Sequence, residues 1–162
     1  MVVVASRVGS GAPVSDVRPA AVDSISGSVV DRTAAAFVAR TLAKPEWTHE
    51  AHLRVGLWHL LHHEPDECVE LLRTRIRALN ERHGVPNTDT GGYHETITRF
   101  YVWQIARFLG SRDVSRPVDA LAEELIRDHG SKDLVLQYWT KERLFSVEAR
   151  RAWVHPDLRS LD

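Results

Sequence analysis

The sequence holds a single cysteine, Cys68, so no disulfide can close within the chain. That fits a reducing compartment, and a cytoplasmic location is the expectation. Long apolar runs are also missing. The opening stretch, Met1 to Ala5, is followed at once by Arg7, Gly9 and Ser10, which is too short for a signal-peptide core or a membrane span. Neither sign of charge dominates, since 21 Lys and Arg stand against 22 Asp and Glu. A nucleic-acid binder normally carries a basic stripe. Here Arg73, Arg75 and Arg77 are interleaved with Glu67, Glu70 and Glu81, the pattern of a solvated helix face. Nucleic acid and membrane are therefore not expected as partners. A small-molecule substrate is, and a homodimer stays open.

What the chain does have is apolar residues at helical spacing. Its 162 residues suit one domain with a core large enough to fold without a structural metal. The fold class expected is all-α, a compact antiparallel bundle of five to seven helices over residues 31–162. A disordered or loosely docked leader rich in Ser, Gly, Val and Ala precedes it over 1–30. A short strand at Val2–Val4 is the lesser reading of that leader.

Asp31 is placed to cap a first helix running to Leu42, before Lys44 and Pro45. Thr48 caps a second, with Leu53, Leu57 and Leu60 at helical spacing. Pro65 opens a third, carrying Cys68, Leu71, Leu72, Ile76 and Leu79 and stopped by Gly84. Residues 85–92 read as a loop. A fourth helix runs from Tyr93 to Leu109 with Thr98, Val102, Ile105 and Leu109 inward, and a fifth from Pro117 to Gly130. Ser131 and Ser146 each sit where they cap a shorter helix, and a tail with Pro156 follows.

Histidine is plentiful, with nine residues, and its placement points to chemistry. His49 and His52 stand three apart at the start of the second helix, so they share a face with Leu53 and Leu60. Gly56 on the same side leaves room for a close neighbour. His94 shares a face with Thr98, Tyr101 and Ile105. If both helix starts lie at one end of the bundle, His49, His52 and His94 converge. Three imidazoles with an open position suit a divalent transition metal such as zinc, iron, copper or nickel.

Glu95 then serves as ligand, as acid or base, or as an orienting partner of a histidine. Tyr93 or Tyr138 would donate to a developing negative charge. This reading makes the protein a small metal-dependent enzyme, with hydrolase, lyase and oxygen-using chemistry all open. The alternative is a non-catalytic module binding a small molecule or a protein, its core histidines satisfied by the backbone. His59, His62 and His63 lie near a helix end, where a cation suits the dipole. His83 and His129 precede helix-stopping glycines, and Asn80 is read as a structural contact to a loop.

Three segments carry a resemblance. They are Trp47-Thr48-His49-Glu50-Ala51-His52-Leu53, Gly92-Tyr93-His94-Glu95-Thr96-Ile97-Thr98 and Glu142-Arg143-Leu144-Phe145-Ser146, with Pro156-Asp157-Leu158 after them. Together they resemble a bacterial helical family, largely uncharacterised, in which WTHxxHL, GYHETxT and ERLxS occur in this order. The resemblance runs from Phe37 to Leu161. It implies His49, His52, His94 and Glu95 as the positions to follow, and it implies no particular reaction. Three-histidine sites at one end of a bundle also occur in proteins similar to the DinB fold, an analogy of fold alone.

Overall fold

The computed structural model describes residues 27–161, and the expected strand at Val2–Val4 and the leader before residue 27 lie outside them. Helix is the regular secondary structure of the described residues, with no strand among them. The helices are α1 (Val29–Val38), α2 (His49–His62), α3 (Pro65–Arg82), α4 (Glu95–Gly110), α5 (Val118–His129), α6 (Lys141–Leu144) and α7 (Val147–Arg151). Short 3-10 turns cover Lys44–Glu46 and Leu134–Gln137. None of the described helices is long and apolar enough to cross a membrane.

Several helix ends differ from expectation, each for a local reason. Ser28, not Asp31, caps α1: its hydroxyl accepts from the Asp31 amide and donates to the Asp31 carboxylate at 2.8 Å. The first two amides of α1 gain a second anchor, since Val29 N and Val30 N donate to the Asp119 carboxylate of α5. The helix stops at Val38 because Arg40 adopts a left-handed φ of 58°. Leu42 is buried all the same, in irregular chain. Thr140 caps α6 through the Arg143 amide. Ser131 begins no α-helix, and the chain there makes a 3-10 turn.

Two helices organise the rest. α2 packs against α1, α3, α4 and α5. It is buried on several sides, by Leu53 and Leu57 toward α4 and α5 and by Val55 and His59 toward α1 and α3. α4 supplies a residue to each of three apolar clusters. Ile105 and Phe108 join Leu53, Leu57, Leu121 and Leu125. Val102 joins Phe37, Val55, Cys68 and Leu72. Phe100 joins Val135, Tyr138, Trp139, Leu144 and Val154.

Contacts between α2 and α4 advance together along both chains. His49 meets Tyr101, and further on Gly56 faces Ile105. The two helices therefore run in the same sense, with α3 as the return between them, and their N-termini share one end of the bundle. Gly56 makes this approach possible, because a Cβ there would stand 2.7 Å from the Ile105 Cδ1.

Candidate functional site

The shared end of α2 and α4 encloses a cavity of about 70 Å³. His49, His52 and Gly56 line it from α2, Tyr101 and Ile105 from α4. A second, open groove of about 400 Å³ adjoins it across Trp47, His52, Ile76, Ile97 and Thr98, and extends to Asn80, Tyr93 and His94. So His49 and His52 face one cavity, and His52 and His94 face the next. His52 is the histidine common to both.

The three rings differ in what they have left to offer. His52 donates its Nδ1–H to the Thr48 carbonyl at 2.6 Å, which fixes the tautomer and leaves a lone pair on Nε2. Its ring lies on Trp47, centroids 3.6 Å apart. His49 is half-buried, its ring edge-on to Tyr101 at 5.2 Å, and its Nε2 is buried without a hydrogen-bond partner. Burial first, and then the Lys132 charge, lower its pKa, so the ring is neutral at physiological pH.

His94 is spent. It is the N-cap of α4 and not its second residue, because its Nδ1 accepts the Ile97 amide. Its Nε2–H donates to the Leu144 carbonyl at 2.9 Å. Burial brings its pKa down to about 4, against the Leu144 bond, which works to raise it. Both ring nitrogens are thus engaged with backbone. Among the described residues, no group of three or more His, Cys, Asp or Glu side chains is placed to hold a metal ion.

Glu95 is buried in a cage of donors. Arg73 reaches it with Nε and Nη2, Arg99 with Nε at 2.7 Å, and Tyr93 with its hydroxyl at 2.9 Å. Burial works to raise its pKa, but these hydrogen bonds prevail and hold it at about 2. A carboxylate held so low is a weak base at neutral pH. The Tyr93 proton is committed to that carboxylate, and burial raises the Tyr93 pKa further. Tyr138 lies apart from both openings, in the aromatic cluster of Phe100, Trp103 and Trp139.

The motif segments show their work in these bonds. Residues 92–96 clasp the C-terminal part of the chain. Arg150 donates to the Gly92 and Tyr93 carbonyls. Thr96 donates to the Ala152 carbonyl and accepts from the Val154 amide. Arg143 donates to the His155 carbonyl, and Ser146 caps α7.

The remaining histidines are mostly backbone fasteners. His59 was expected as a cation at a helix end, and it is fully buried instead. Its Nδ1–H meets the Val55 carbonyl and its Nε2 accepts from Arg75 at 2.7 Å. Burial, the largest influence, lowers its pKa to about 4, so it is neutral. His83 donates to the Leu42 carbonyl, and His129 pairs with Gln104. Asn80 holds Asn87, which in turn accepts the Tyr93 amide.

Tyr101 is the site residue that sequence reasoning passed over. Its signal was its place on the same α4 face as Thr98 and Ile105. Compared with protein-family models, with curated proteins and with solved structures, the chain matches none.

Proposed function

We propose that this protein binds a small molecule in the cavity between the starts of α2 and α4. The observation that carries the reading is the His49 Nε2, a buried polar atom without a hydrogen-bond partner on a residue that lines this mostly apolar cavity. A buried polar group left unpaired costs free energy, and a ligand that pairs with it recovers that cost. A concave apolar site with few polar groups is the usual form of a small-molecule pocket. The groove beside it gives such a ligand a way in.

The test is ligand-observed NMR with a library of small uncharged fragments, run on the wild type and on Thr98→Phe. Thr98 lines both openings, and its hydroxyl bonds only within its own helix and to Tyr93. Fragments should bind the wild type and be displaced from the plugged variant. Equal binding to both proteins rejects the site.

A metal-dependent enzyme is the second reading, and one observation favours it. A histidine whose Nδ1–H is tied to a carbonyl, as in His52, is oriented as metal-binding imidazoles commonly are. His49 and His52 would hold the ion, and recruiting His94 would break the cap of α4. Elemental analysis of protein purified without chelator, with His49→Ala as control, separates the two readings. Stoichiometric metal in the wild type alone favours the enzyme.

A further inference from the structure

We propose that the ligand of this cavity is an uncharged aromatic alcohol, a phenol-class molecule whose hydroxyl pairs with His49. The inference rests on the small-molecule reading above and names the chemistry that the pocket selects. It begins with the His49 Nε2, the atom of the lining residues that is both buried and without a hydrogen-bond partner. A hydroxyl both donates and accepts, so it satisfies Nε2 in either tautomer of the His49 ring.

Charge comes next. No Asp, Glu, Lys or Arg lines the cavity. An ion buried there would lack a counter-charge, and burying an unpaired ion is costly. Lys132, outside the lining, is near enough to bear on His49 and His52, so the penalty is heavier for an ammonium group than for a carboxylate. The polar residues of the adjoining groove give a carboxylate little help. Asn80 donates to Asn87, Thr98 donates to the His94 carbonyl, and His94 has both nitrogens engaged. A neutral ligand with a single hydrogen-bonding group meets these conditions.

Shape supplies the aromatic body. The cavity alone, about 70 Å³, has the room of roughly two water molecules. It accepts a hydroxyl and the near edge of a ring. The rest of the ring passes toward the groove along the wall made by Trp47 and His52. Tyr101, edge-on to His49, and the aliphatic Ile76, Ile97 and Ile105 complete a surface that suits a flat apolar body.

The test is calorimetric titration of the full chain with phenol, toluene, benzoate and benzylamine. Phenol should bind, toluene about tenfold more weakly because it leaves Nε2 unpaired, and the two ions not measurably. In His49→Phe, phenol and toluene should bind alike. A second measurement does not depend on that variant folding. The ¹⁵N resonance of His49 Nε2 in the wild type should move with phenol and stay with toluene. If toluene binds as tightly as phenol, or His49→Phe keeps the preference, or the resonance does not move, the hydroxyl pairing is wrong and the pocket stands. If none of the four binds the wild type, the pocket reading fails with it.

Discussion

Arg73 on α3 grips the buried carboxylate of Glu95, the first residue of α4, through two guanidinium nitrogens. The pair ties the two helices across the loop between them. Glu95 is 3% exposed, so removing Arg73 leaves its buried charge to Arg99 and Tyr93 alone. Arg73→Met should destabilise the fold by about 2–3 kcal/mol, the cost of lost hydrogen bonds to a charged group. Glu95→Gln should cost less, because the amide oxygen still accepts. Urea denaturation of both variants checks the order, and a milder loss in Arg73→Met than in Glu95→Gln would refute it.

Acid should remove stability over two successive pH windows. His59 and His94 have pKa values near 4 in the fold, against an ordinary value of 6.5. Between those limits the unfolded chain binds more protons than the folded one, so stability declines as pH drops from about 6.5 to about 4. Glu95 takes over below that. Its contribution is complete above its ordinary value of 4.5 and disappears toward about 2. Denaturation free energies measured from pH 7 to pH 3 should show the first slope, and His94→Gln should flatten it. A curve level from pH 7 to pH 4.5 would contradict the neutral burial of these rings.

Gly56 and Ile105 should be energetically coupled. Alanine favours a helix over glycine by about 1 kcal/mol. In the wild type that gain is opposed by the contact with Ile105 Cδ1. Ile105→Val deletes that atom. Gly56→Ala should therefore be more favourable in the Ile105→Val background than alone, and a double-mutant cycle reads the difference. Independent, additive effects would mean that the glycine is not there for close approach.

Leu57 separates stability from binding. It is fully buried and does not line the cavity. Leu57→Ala should cost about 2–5 kcal/mol while leaving fragment affinity unchanged under conditions where the variant is folded. Loss of affinity in the folded variant would show that the cavity is shaped from a distance.

The clasp between residue 94 and the C-terminal segment can be opened without losing the helix cap. Asparagine is a good N-cap but lacks the reach of an imidazole. His94→Asn should keep α4 and expose residues 141–151 to faster amide exchange. Unchanged protection there would mean that the Leu144 bond is dispensable.

The sequence made the helices legible wherever packing follows a periodic stripe, as along Cys68, Leu72 and Leu79 of α3. It was less informative where a helix is buried on several sides. In α2, Val55 and His59 face one set of neighbours while Leu53 and Leu57 face another, so no single stripe stands out. The ends were legible where a cap is local, as at Thr48, and hidden where it comes from far away, as with Asp119 beneath α1. The site was half visible. His49 and His52 could be placed on one face from spacing alone. The role of His94 could not, because a start at Glu95 in place of Tyr93 turns an inward ring into a cap.

The helix α4 has a consequence for how the molecule comes apart. Each of its sides belongs to a different apolar cluster, so none of the clusters can be dissolved while the others keep their full complement. The C-terminal third has no independent existence on this plan. It is held by the same rod that walls the cavity, and heat should release the described helices in one event, the C-terminal segment included.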